Sequence, residues 1–166
     1  MGVPQSTTRR NPGPILTTLH ARFVACKKEM SRWFLLAGGI LAGASVVAGA
    51  FGAHALRRAW QALSDGELRA LWWKLASDYM LAHAIALLVL GTLLHSAHGT
   101  YPSPWLVRGG YGWFAGIIVF SGSLYIMALT GQRWLGMVTP VGGSLLIAGW
   151  AMFVVAIAGR VANGKV

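Results

Sequence analysis

Four long apolar, uncharged runs constrain this chain more than any other feature: Trp33–Ala53, Tyr79–Leu94, Gly109–Leu129 and Leu135–Gly159. Crossing the hydrocarbon core as a helix takes about 20 apolar residues, with a range of roughly 17–25. The runs fill half of the 166 residues, and only 11% of the chain is charged, against about 25% in a soluble domain that must wet its surface. An ordinary water-soluble domain and a disordered chain are excluded. So is a transmembrane β-barrel, whose spans are short alternating strands. The pattern predicts an all-α polytopic membrane protein, a bundle of four transmembrane helices over about 33–53, 77–95, 109–129 and 137–159.

Lys and Arg number 14 against 4 Asp and Glu, a formal charge of +10. The basic residues precede and separate the apolar runs, where each meets anionic headgroups for about 1 kcal/mol. The expected partner is therefore the lipid bilayer, and no nucleic acid is expected, since no binding motif accompanies the charge. Cys26 is the single cysteine, so neither an intrachain disulfide nor a cysteine metal site can form. It reads as an incidental thiol near the membrane surface, with acylation as the alternative.

Residues 1–29 hold Pro4, Pro12, Pro14, several Ser and Thr, and five basic residues against one acid, Glu29. They are expected to form a basic, disordered and dispensable extension, although 15–28 could make a basic amphipathic helix on the membrane face. No secretory signal is read here, because the extension lacks an apolar stretch of its own. Its composition faintly resembles a transit peptide, and Met30 is an alternative start. The membrane domain is expected over 30–160, with a short tail over 161–166. Nine Lys and Arg fall on the side of the termini and five on the other, which predicts both termini in the cytoplasm. With a start at Met30 the count becomes four against five and decides nothing.

The first run is rich in small residues. Gly39 and Gly43 fit a GxxxG pattern, which Ser45, Gly49 and Ala53 extend. Small residues let helix backbones approach closely, here within the bundle or against a membrane-protein partner or second copy. In the first loop, Ser64 to Glu67 matches a capping box, followed by Leu68, Leu71, Trp72, Leu75 and Tyr79 at helical spacing. This predicts one interfacial amphipathic helix that runs on into the second span, with Trp60, Trp72 and Trp73 at headgroup depth. Residues 95–108 read as a plain turn region and Thr130–Arg133 as a tight hairpin. Thr139 is placed as an N-cap with Pro140 at the first helical position.

Ionisable groups at the membrane are functional hypotheses. Four-span topology brings His54, Asp78, His83, Tyr125, Arg133 and Thr139 toward one membrane face, with Asp78 expected near Arg133 and His83 beneath the cluster. A buried His83 needs a partner, for which Tyr79, Tyr125 and a carbonyl near Pro140 are candidates. The cluster reads as a structural clasp or as a proton path through His83 and Asp78. No metal or other cofactor is expected. His54, His83 and Asp78, or His95 with His98, could supply ligands, but no HExxH, Walker A, GxGxxG, GxSxG or CxxC pattern occurs. No catalytic residue is assigned.

The strings Gly49-Ala50-Phe51-Gly52-Ala53-His54-Ala55-Leu56, Asp78-Tyr79-x-x-x-His83-Ala84, Ser121-Gly122-Ser123-Leu124-Tyr125, Leu129-Thr130-Gly131 and Leu135-Gly136-x-x-Thr139-Pro140-x-Gly142-Gly143 occur in this order, ending with Gly149-Trp150. Over about Met30 to Ala158 the ordered set resembles the YgdD/YwdK family of small bacterial inner-membrane proteins, the domain of unknown function 423 group. The resemblance implies a four-helix protein of the inner membrane and carries over no catalytic residue. The residues and the resemblance together predict a non-enzymatic structural or accessory membrane component. The alternative is a small proton- or ion-coupled transporter using His83 and Asp78, which would need a polar cavity reaching the midplane.

Overall fold

The structure is a computed structural model that describes residues 14–96 and 103–162. Helix α1 (Pro14–Phe51) passes through a π-helical turn (Gly52–Leu56) into the short α2 (Arg57–Gln61). Helix α3 (Gly66–Ser96) returns, α4 (Pro104–Thr130) follows, and a 3-10 turn (Arg133–Met137) leads into α5 (Thr139–Ala162). Four helical segments, Val24–Gln61, Gly66–Ser96, Pro104–Thr130 and Arg133–Ala162, are long and apolar enough to cross a membrane. The chain is an all-α four-helix bundle. Each of these four segments outruns its apolar run, because the helical chain continues into the polar residues of the interface while the run stops at the first polar or charged residue.

α1 packs on α3, α3 on α4 and α4 on α5. α3 and α4 form the inner pair, with 44% of their most apolar windows buried, against 17% for α1 and 22% for α5. Phe34, Leu87, Leu90, Leu94, Leu106, Trp113, Ile117 and Leu146 make the main core. Large apolar side chains such as Leu36, Ile40, Val47, Ile147 and Val154 point outward, which suits lipid as the surrounding solvent.

The α1–α3 seam explains how two backbones come close. Ser31, Gly38, Ser45 and Gly52, seven residues apart, are all buried. The Ser31 hydroxyl donates to the Gly91 carbonyl at 2.9 Å, and the Ser45 hydroxyl to the Ser77 carbonyl at 2.9 Å. Between them, a Cβ added at Gly38 would stand 2.8 Å from the Ala84 carbonyl oxygen. Contacts thus step by seven on both helices in opposite directions, the repeat that keeps a seam facing its partner. The expected GxxxG pair is not this seam. Gly39 and Gly43 are exposed, with nothing within 4 Å of where a Cβ would stand. Gly49 has the same open space and Ala53 is exposed, so of the expected stripe only Ser45 is inside.

Further expectations change. The amphipathic stretch after Ser64 is not a separate interfacial helix but the first turns of α3, which runs unbroken from Gly66. Asp65, not Ser64, holds the N-cap place, since its carbonyl accepts the first intrahelical bond, from the Arg69 N–H at 3.0 Å. Helix α5 starts at Thr139 itself, placing Pro140 one position later than expected. The Thr130–Arg133 turn is tight as expected: Gly131 ends α4 in the left-handed conformation at φ 74°. From Pro14 on, the N-terminal extension is helical and continuous with the first span. The expected turn region 95–108 is helical at both ends, through Ser96 and from Pro104 on; its residues 97–102, His98 among them, the rest of that extension and residues 163–166 lie outside the described residues.

The seam gives a paired test. In Gly38→Ala the new Cβ would stand 2.8 Å from the Ala84 carbonyl oxygen, and the overpacking is expected to cost about 1–3 kcal/mol. Gly39→Ala meets nothing and is expected to be neutral or to gain up to about 1 kcal/mol from helix propensity. Equilibrium unfolding of both variants in mixed micelles checks this; equal effects would place the close approach elsewhere.

Candidate functional site

At the end of the bundle where α1 turns into α3, Trp73 occupies the centre. Its indole N–H donates to the Ala48 carbonyl at 2.7 Å, the acceptor that a regular α-helix reserves for the Gly52 N–H. A side chain inserted at the i→i−4 ladder is a recognised cause of helix distortion. The π turn begins at that residue, and the Arg57 N–H reaches back to the Gly52 carbonyl. A Cβ on Gly52 would overlap the Trp73 ring, so the glycine admits the indole. The ring also packs edge-on against Tyr125 at 4.6 Å and Trp60 at 5.9 Å.

One turn deeper, Ser77 joins three helices. Its carbonyl accepts from Ser45 on α1, and its hydroxyl meets the Tyr125 hydroxyl of α4 at 2.9 Å and the Trp73 carbonyl at 3.1 Å. Ser123 and Thr139 link α4 to α5 through their hydroxyls at 2.9 Å. Ser123 also reaches the Phe120 carbonyl, and Thr139 the Leu135 carbonyl. Whichever hydroxyl donates across the gap, the other still has a carbonyl to donate to.

His83 is buried and spans from α3 to α5. The Trp150 indole N–H donates to Nε2 at 3.1 Å, and Nδ1 lies 2.8 Å from the Tyr79 carbonyl. An indole only donates, so Nε2 carries the lone pair and Nδ1 the proton: the imidazole is neutral with both nitrogens used. Of the three expected partners, Tyr79 serves through its backbone. Trp150 was not foreseen, and no local pattern connects positions 83 and 150.

The expected six-residue cluster is divided among different partners. Tyr125 bonds Ser77, Thr139 bonds Ser123 and His83 bonds Trp150. Asp78 is exposed and pairs with Lys74 on its own helix, not with Arg133. His54 is exposed on the π turn. Asp78 and Arg133 nevertheless line one cleft of about 1260 Å³, floored by Gly49, Gly52, Trp73 and Ser77 and rimmed by Arg57, Asp65, Glu67 and Lys74. Three of the chain's four carboxylates line it. Among the described residues no group of three His, Cys, Asp or Glu could hold a metal ion. Trp113 Nε1, Ser121 Oγ and Arg160 Nη2 are buried with no hydrogen-bond partner among the described residues.

Arg69 stands beside the cleft and was missed as a functional residue. Its side chain is only 16% exposed and bonds Asp65 at 2.9 Å. It also donates to the Leu129 carbonyl at 3.3 Å and to the Ala128 carbonyl at 3.5 Å, where the free carbonyls of the α4 C-terminus attract a cation. The Arg69 hydrogen bond, with its charge and that of Arg133, holds the Asp65 carboxyl below the usual aspartate value. Because that value is depressed on folding, its stabilising contribution is present above the ordinary aspartate range and is lost as pH falls through the lowered value. Acid unfolding in micelles is expected to lose part of its pH dependence in Asp65→Asn; an unchanged profile would remove Asp65 from the clamp. Trp150→Phe, which leaves His83 Nε2 unpaired, is expected to cost about 1–3 kcal/mol. Asp78→Asn, at an exposed pair, is expected to change stability by about 0.5 kcal/mol or less. Denaturant unfolding of these two variants compares a clasp with a surface pair.

The family described as "Protein of unknown function (DUF423)" matches residues 48–143. The chain is 42% identical over 124 residues to a UPF0382 membrane protein of Staphylococcus aureus, covering 74% of this chain and 93% of that protein. To the UPF0382 membrane protein YwdK of Bacillus subtilis it is 38% identical over 123 residues, covering 74% and 94%. No solved structure matches the chain. With its four apolar spans and with the family match lying across α1 to α5, the chain belongs to the DUF423/UPF0382 family of small multi-pass membrane proteins.

Proposed function

We propose that this protein is a non-enzymatic accessory component of a bacterial cytoplasmic membrane, with a membrane domain over 30–160 and both termini in the cytoplasm. One observation carries the reading: most polar side chains within the spans are closed into pairs between different helices. A transporter using His83 and Asp78 would need both on one hydrated path. His83 instead has both nitrogens engaged inside the bundle, while Asp78 is exposed beside Lys74. The first turns of α3, with Trp72 and Leu71, serve as the interfacial segment. The outer face of α1, where Gly39 and Gly43 lie open beside Leu36, Ile40 and Val47, serves as the contact for a second copy or a membrane-protein partner.

Proteoliposomes with an entrapped pH dye test the choice. Under an imposed potential, proton entry is expected to match that of protein-free vesicles; a flux abolished by His83→Ala would overturn the accessory reading. For the contact face, Cys26→Ser combined with Gly43→Cys should give a disulfide-linked product in native membranes, whereas Leu146→Cys, on the buried side of α5, should give none. Absence of a product at position 43 would remove a second copy from this face. Reporter fusions after Val166 and near Gly66 should give opposite signals, with the C-terminal one cytoplasmic; the reverse would invert the orientation.

A further inference from the structure

We propose that the cleft between the π turn and the start of α3 binds the headgroup of an aminophospholipid, a phosphodiester joined to a primary ammonium. The inference rests on the spans crossing a bilayer and is independent of the accessory role.

Charge is the first argument. The rim carries three cations, Arg57, Lys74 and Arg133, and three carboxylates, Asp65, Glu67 and Asp78. Among the described residues Asp65 is paired with Arg69 and Asp78 with Lys74. Arg57, Arg133 and Glu67 are exposed and make no ion pair within 4 Å among the described residues, Arg133 acting on Asp65 only through its charge. Guanidinium forks match phosphate oxygens, and a carboxylate accepts hydrogen bonds from an ammonium. A purely anionic headgroup would satisfy the two arginines but meet an unpaired carboxylate. A quaternary amine would bring the positive charge without an N–H to donate to Glu67.

Depth and shape are the second. The cleft lies where α1 ends and α3 begins, and Trp60 and Trp73 line it, as indoles do at headgroup level. At about 1260 Å³ it exceeds the roughly 300–1,000 Å³ of ordinary small-molecule pockets, which leaves room for the glycerol and the first methylenes. Nothing stands within 4 Å of a Cβ built on Gly49, and Leu68 and Leu71 also line the cleft as exposed apolar side chains that give it an apolar edge. An acyl chain leaving the cleft along this edge enters the surrounding lipid.

The test titrates the full-length protein in detergent micelles with dihexanoyl-phosphatidylethanolamine, -phosphatidylcholine and -phosphatidylglycerol and with inorganic phosphate, read by calorimetry. Phosphatidylethanolamine is expected to bind about tenfold or more tighter than the other three. The double variant Arg57→Gln/Arg133→Gln should lose that binding, and Glu67→Gln should erase the preference over phosphatidylcholine; all three side chains are exposed, so thermal unfolding should match the parent. Equal affinity for the three lipids would overturn the proposal. Inorganic phosphate binding as tightly as phosphatidylethanolamine would overturn it in favour of a soluble anion. Headgroup selectivity of the parent decides the matter even if a variant fails to fold.

Discussion

A polar group inside the hydrocarbon core has no water to turn to, so it must find its partner within the protein. That constraint orders this bundle. Ser31 and Ser45 spend their hydroxyls on carbonyls of α3, Ser77 meets Tyr125, Ser123 meets Thr139, and His83 takes a proton donor from α5. Each such bond contributes only about 0.6–2 kcal/mol between membrane helices. Their weight lies in selection: a rotated or shifted helix would leave several polar groups unpaired at once. Trp113 Nε1 and Ser121 Oγ on α4 are exceptions that these pairs do not cover.

Close approach is the complement of pairing. Lipid gives apolar side chains no reason to prefer a neighbouring helix, so contact must come from backbones near enough for packing and short hydroxyl bonds. Gly38 and Gly91 supply this between α1 and α3, and Gly109, Gly116, Gly142 and Gly149 between α4 and α5. At the end of the bundle, Arg69 ties the start of α3 to the carbonyls closing α4, and Trp73 opens the π turn. The cleft lies against the second of these, with Trp73 and Gly52 in its lining.

The number and class of the helices were legible because bilayer thickness fixes how many apolar residues a span needs, and four runs met that length. The ordered motifs also carried the family. Rotation was not legible in the same way. The repeat Ser31, Gly38, Ser45, Gly52 stood in the sequence, but the GxxxG at Gly39 and Gly43, one position over, is the more familiar pattern and points outward. A one-residue offset turns a helix by about 100°, enough to exchange lipid for protein. The Asp65–Arg69 spacing was visible, whereas the α4 carbonyls that Arg69 also holds depend on tertiary approach. His83 and Trp150 belong to separate helices, and no local periodicity brings them together. The expected six-residue cluster rested on a shared membrane face, whereas bond partners depend on helix rotation, which pairs Tyr125 with Ser77, Thr139 with Ser123 and His83 with Trp150.

The central claim is that the polar side chains of the spans act as clasps between helices, and His83 is where clasp and proton path differ most. Nitrogen-15 NMR of imidazole-labelled protein, in lipid bilayers, reads the state of each ring nitrogen. The account predicts a proton on Nδ1, a bare Nε2, and a hydrogen-bond correlation from Nε2 to the Trp150 indole proton that vanishes in Trp150→Phe. A proton on Nε2 of the neutral ring, or a Trp150 indole proton that exchanges freely with water, would contradict it.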